Sequence, residues 1–160
     1  MKIKQIIILI TGILLSVGID QFTKWLAFKY LEKGVHYTGI KGILNIVLVE
    51  NDGAAWGMFR GKLTLFIIVT IIALGIFAYL SKNVDFKSNA LFSIALMLLI
   101  SGTIGNFVDR IINDGKVRDF LEFGFIDFPI FNFADMCMSV GMVMLIIDTI
   151  MFDNIFLWKK

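Results

Sequence analysis

The chain has 160 residues, 58% of them hydrophobic and 18% charged, with a formal net charge of +2 and a mean hydropathy of +0.85. That balance excludes an ordinary water-soluble domain of this length and makes lipid the solvent. The small net charge, and the lack of any Lys/Arg run interleaved with aromatics, exclude nucleic acid as a partner.

Met1 to Gln5, followed by the apolar run from Ile6 to Ile19, imitates a secretory leader, with Ser16-Val17-Gly18 as a passable cleavage site. Apolar character resumes at Phe22 and continues through Trp25-Leu26-Ala27-Phe28, so the segment reads as an uncleaved span. Four stretches, at about 5–28, 63–80, 90–108 and 134–152, approach the roughly 20 apolar residues that cross a hydrocarbon core of about 30 Å. An even number of spans puts both termini on one side. No Pro-rich linker, low-complexity tract or internal repeat divides the chain, which is expected to form a single membrane-embedded domain over residues 1–160.

The connections between spans are unequal, and function is expected on the side of the long ones, 29–62 and 109–133. Within the first, Gly42 to Val49 is rich in β-branched residues and bounded by Gly39 and the turn signal Asn51-Asp52-Gly53, which predicts a small sheet within about 35–60. Lys2, Lys4, Lys82, Lys87, Lys159 and Lys160 crowd the short flanks, so the termini are expected in the cytoplasm and the long loops outside. The fold class is therefore an all-α integral membrane bundle of four helices, with a small extracytoplasmic β-sheet between the first two.

Charges in or beside a span cost about 2.5 to 3.5 kcal/mol at a helix centre, so each asks for a partner or a purpose. Asp20 and Lys24 stand four apart on one helix face, acid first, the favoured order for an ion pair. In Asn51-Asp52-Gly53-Ala54-Ala55-Trp56-Gly57 the small residues allow close backbone approach, and Trp56 suits a membrane interface. The third span closes on Gly102-Thr103-Ile104-Gly105-Asn106-Phe107-Val108-Asp109-Arg110, where the glycines admit another helix and Asp109 is a candidate charge partner for Arg110. Asp119 lies in apolar company in Val117-Arg118-Asp119-Phe120, and Asp135 opens the last span in Phe131-Asn132-Phe133-Ala134-Asp135. If the fold joins these two acids, repulsion and desolvation raise one pKa and leave an acid and a base able to activate water for amide hydrolysis. Asp135 has a structural reading too, at the third helical position behind an Asn132 cap.

The remaining polar residues are read as structural. Cys137, the only cysteine, suits a small buried helix position, and His36, the only histidine, a surface loop. Asp148, a few residues before Asp153, is expected to snorkel or pair near the cytoplasmic face, and Asp127 to sit in an interfacial loop.

In order, these segments resemble the lipoprotein signal peptidases, the type II signal peptidases of bacteria, over nearly the whole chain. The segments are Asp20-Gln21-Phe22-Thr23-Lys24, Asn51 with Gly53-Ala54-Ala55, Gly105-Asn106 with Asp109-Arg110, Val117 with Asp119-Phe120, and Phe131-Asn132 with Ala134-Asp135. The resemblance implies an intramembrane aspartic endopeptidase with catalytic Asp119 and Asp135. It also implies that Asn51, Gly53, Asn106, Arg110 and Asn132 hold substrate and support the site, with Asp20 and Lys24 as a supporting pair. The implied substrate is a diacylglyceryl-modified bacterial prolipoprotein, cut on the amino side of the lipidated cysteine in the cell membrane near its outer face. No metal or organic cofactor is implied, and the enzyme is expected to be a monomer. Arg118 departs from the family, many of whose members have a small apolar residue there; a cation beside Asp119 would lower that acid's pKa. Two other classes compete: a small proton-coupled transporter, which calls for internal repeats and midplane charges on broken helices, and a non-catalytic membrane scaffold, which leaves the two aspartates idle.

Overall fold

A computed structural model of the chain describes residues 2–54 and 58–152; Met1, Ala55, Trp56, Gly57, Asp153, Lys159 and Lys160, named above, lie outside that range. Four helices carry the spans: α1 (Ile3–Tyr30), α2 (Leu63–Leu80), α3 (Ala90–Ile112) and α4 (Phe133–Phe152). All four are long and apolar enough to cross a membrane. At 1.5 Å per residue the 28 residues of α1 reach about 42 Å, beyond the roughly 30 Å core, so its last turns stand in the interfacial layer. α3 ends four residues beyond the expected span, and that extra turn carries Asp109 and Arg110.

α3 is the central helix. It packs against α1, α2 and α4, and its buried residues include Phe92, Ala95, Leu96, Leu99 and Ile100. No described residue of α2 is buried, and Ile68, Val69, Ile71, Ile72 and Ile76 are all exposed, as a lipid-facing helix requires. A Cβ on Gly105 would stand 2.6 Å from the Asp20 carboxylate and 3.1 Å from the Cβ of Ala134. Only glycine lets α1, α3 and α4 converge here. Gly102 does the same against the Ala134 carbonyl and Met138.

The expected sheet is present and draws on both long connections. β1 (Tyr37–Ile40) and β2 (Leu44–Asn51) form an antiparallel hairpin, and β3 (Val117–Phe123), from between α3 and α4, completes the order β1-β2-β3. Leu48 and Phe120 pack on Ala27 near the end of α1, which seats the sheet at one end of the bundle. At the opposite end Gln5 bonds Asp85 and the Phe86 amide, tying the start of α1 to the short connection before α3.

Candidate active site

The site forms where the sheet meets the ends of α3 and α4. Side chains alternate between the faces of a strand, so Asp119 and Arg118 on β3 point to opposite sides. β2 holds a bulge: Ile46 pairs with Leu121 and Val49 with Asp119, so Val47 and Leu48 together oppose Phe120. The extra residue shifts Val49 and Asn51 onto the face of Asp119. Asn51 then sits diagonally across from Asp119 and donates from Nδ2 to Oδ2 at 3.0 Å. In an unbulged register Glu50 would take that place, setting carboxylate against carboxylate. Asn51 Oδ1 also accepts from the Gly53 amide at 2.9 Å, which closes the turn leaving β2.

Asp135 is placed by a helix cap. Asn132 Oδ1 accepts from the Asp135 amide at 3.0 Å, and Asp135 Oδ2 accepts from the Asn132 amide at 3.0 Å, a reciprocal capping box at the start of α4. Asn132 is fully buried, and its Nδ2 donates to Asp119 Oδ1 at 2.6 Å and to Asn106 Oδ1 at 3.1 Å. Asn106 returns a bond from Nδ2 to Asp135 Oδ1 at 2.8 Å. The two acids are thus joined through one amide side chain.

Asp119 is 3% exposed. Its burial, together with the nearby negative charge of Asp135, pushes its carboxyl up to about 7, against the downward pull of the hydrogen bonds from Asn51 and Asn132. Both acids line a cavity of about 490 Å³. Asn51, Gly53, Asn106 and Arg110 form its polar side, and Phe123, Phe128, Phe131, Met136, Met138 and Val140 its apolar side. Such a lining suits a substrate with a polar backbone and greasy flanks. Arg110 donates from a terminal nitrogen to the Gly53 carbonyl at 3.1 Å and lies 4.3 Å over the Phe66 ring, so it braces the turn after β2.

A second polar cluster lies deeper. Lys24 Nζ donates to Asp20 Oδ2 at 2.9 Å and to Asn106 Oδ1 at 3.0 Å, with all three residues buried. Asp20 Oδ1 accepts from the Ala134 amide at 3.0 Å, satisfying one of the free N–H groups in the first turn of α4. The expected i, i+4 pair is therefore present, and it also docks α1 onto α3 and α4. Gln21, whose role was not apparent from sequence, donates to Asp20, the Gly105 carbonyl and Asp109. Its one signal was its place between the two charges.

Two expectations about charge need correction. Asp109 does not pair with Arg110; it accepts from the Arg118 backbone amide at 2.8 Å and from the Arg118 guanidinium at 2.7 and 3.1 Å. Arg118 consequently does not lower the pKa of Asp119, because strand alternation turns its cation to the other face of β3, and the Asp119 pKa is raised. Of the two readings of Asp148, snorkelling or pairing, its 2% exposure leaves the pairing one. The bland readings of other residues hold: Cys137 is buried, Asp127 is exposed, and the exposed His36 makes a 3.0 Å bond with Glu122.

Four helices long and apolar enough to cross a membrane, with a cavity beneath a small sheet, define a multi-pass membrane protein. Two solved structures of bacterial membrane enzymes, both obtained in meso, superpose at TM-scores of 0.82 and 0.80 with 36% identity, covering 95% and 89% of this chain and 92% of each of theirs. Residues 12–151 match the family model described as Signal peptidase (SPase) II. The lipoprotein signal peptidase of Staphylococcus aureus is 41% identical over 143 residues, 86% of each chain. That of Listeria monocytogenes is 38% identical over 140 residues, 86% of this chain and 90% of its own, and that of Lactiplantibacillus plantarum 35% over 136 residues. The chain belongs to the signal peptidase II family.

Proposed function

We propose that this chain removes the signal peptide of lipid-modified bacterial prolipoproteins by aspartic chemistry, with Asp119 and Asp135 sharing one water. Family membership supports peptide hydrolysis on lipoprotein substrates in the membrane, and nothing in the comparisons favours a transporter. The aspartic mechanism rests on one observation: two carboxylates line the same cavity and share Asn132, and one of them has a pKa raised to about 7.

A carboxyl with that pKa is part protonated at neutral pH, so the pair carries an acid and a base together. The ionised member takes a proton from water as the water oxygen attacks the scissile carbonyl carbon. The protonated member gives its proton to the carbonyl oxygen. Collapse of the tetrahedral intermediate then breaks the carbon–nitrogen bond, with the proton taken from water passing to the departing amine and a hydroxyl proton returning to the aspartate that had protonated the carbonyl oxygen. Asn51 and Arg110 have donor groups at the cavity wall suited to substrate backbone carbonyls.

The bond cut is the one on the amino side of the diacylglyceryl cysteine. Lipid recognition follows from energetics, since each buried methylene contributes about 0.8 kcal/mol and two acyl chains need no deep side-chain pocket. The lysines at 2, 4, 82 and 87 cluster at the end opposite the sheet, which supports cytoplasmic termini and a site near the outer face. The test is incubation of the purified protein with a diacylglyceryl-modified precursor and with its unlipidated form. The leader should be released from the first alone; equal release from both, or from neither, contradicts the proposal.

A further inference from the structure

Asp20, Lys24, Asp109 and Arg118 are all buried and carry two charges of each sign. Arg118 takes both oxygens of Asp109 with three donors, at 2.7, 2.8 and 3.1 Å. Lys24 stands 3.8 Å from the same carboxylate, short of a hydrogen bond, and spends its donors on Asp20 and Asn106 instead. This division fixes the amide of Asn106. Its Oδ1 accepts from the Lys24 ammonium and from Asn132, and a flipped amide would turn an NH2 group onto a cation that can only donate. The Asn106 nitrogen is therefore committed to Asp135, at 2.8 Å.

We infer that Arg118 is a positioning residue: by saturating Asp109 it keeps Lys24 on Asn106, and so holds the Asn106 amide nitrogen on Asp135. Arg118 itself lies on the opposite face of β3 from Asp119 and is not among the residues that line the cavity. Without it, Asp109 would be a buried carboxylate with Lys24 as its nearest cation, only 3.8 Å away. The ammonium would then be drawn off Asn106, and that amide would be free to turn. The flat fork of arginine matters here, because one lysine ammonium cannot span both carboxylate oxygens while the strand amide binds one of them.

The inference rests on the aspartate pair being catalytic, and the experiment separates the two. Cleavage of a lipidated precursor is measured for the parent chain, R118M, R118K, the double variant D109N/R118M, and D119N as a reference for the pair. Loss of Arg118 should lower kcat about 10- to 100-fold with KM within about threefold, because the cavity wall is untouched. R118K should fall between R118M and the parent. The double variant removes the competing carboxylate, leaves Lys24 on Asn106, and should recover most of the lost kcat. Full activity in R118M overturns the inference, as does a double variant no better than R118M, which would make Arg118 a structural staple only. Persistent activity in D119N would instead overturn the catalytic pair. Thermal melting of every variant in detergent separates loss of turnover from loss of fold.

Discussion

The molecule holds two pairs of aspartates and treats them in opposite ways. Asp20 and Asp109 are matched by Lys24 and Arg118, charge against charge. Asp119 and Asp135 are surrounded by the amides of Asn51, Asn106 and Asn132. A cation fixes a carboxylate in its ionised form, whereas an amide donor solvates it without neutralising it. The inner pair is consequently a clamp between helices, while on the proposed mechanism the outer pair retains a proton that can move. The Asn106 side chain is the boundary, accepting from Lys24 on one side and donating to Asp135 on the other.

The largest expected effect breaks the outer pair. Asp119→Asn or Asp135→Asn should lower cleavage of a lipidated precursor by about a thousandfold or more, since on the proposed mechanism either change removes the acid or the base. The variants should melt within a few degrees of the parent, as the amide can keep most of the hydrogen bonds. Breaking the inner pair should cost stability as well as turnover. Lys24→Met leaves Asp20 without its cation, and a broken buried pair costs about 3 to 5 kcal/mol, which melting in detergent should register.

Asn132 serves both regions, and Asn132→Ala should show both penalties in smaller measure. Loss of the cap costs about 1 kcal/mol, and kcat should fall about 100-fold because neither aspartate is then held against the other. A thermal melt and a progress curve on one preparation give both numbers.

The smallest effect is a shift in pH dependence. The proton on Asp119 is lost as pH rises through about 7, so activity should decline on the alkaline side of that value. Asn51 donates to the ionised form and holds the pKa down, so Asn51→Ala should move the alkaline limb to higher pH in a pH–rate profile. The sign for stability is fixed as well. A carboxyl raised from 3.8 to about 7 binds its proton more tightly folded than unfolded. Its contribution therefore falls as pH rises from about 4 to about 7 and is flat above, and Asp119→Asn should remove that slope.

The two regions were not equally legible in the sequence. Hydropathy marks the four helices, because a lipid-facing helix such as α2 must be apolar on every side. Local spacing also exposes the Asp20–Lys24 pair and the Asn132–Asp135 cap, as both are contacts within four residues along one element. The partnership of Arg118 with Asp109 was hidden. It depends on Val117–Phe123 being a strand, and Val-Arg-Asp-Phe-Leu-Glu-Phe lacks the strict alternation that would announce one. Once that strand is known, adjacent residues must face apart, and the choice of Asp109 over Asp119 follows. The bulge in β2 was hidden for a related reason: it is a property of pairing between two strands more than 60 residues apart, evident only once Asn51 stands where Glu50 would have been. The aspartate pair was apparent as two candidate residues, and Asn132 as the side chain joining them only in three dimensions.

On the proposed mechanism the outer aspartates keep a proton because amides, and no hydrogen-bonded cation, hold their carboxylates. Infrared difference titration of the purified protein reads it directly, through the carbonyl stretch of a protonated carboxyl. The parent chain should show such a band below pH 7 that fades as pH rises through about 7, and Asp119→Asn should lack that component. A band unchanged in Asp119→Asn, or no carboxyl titrating near neutral pH, would contradict the account.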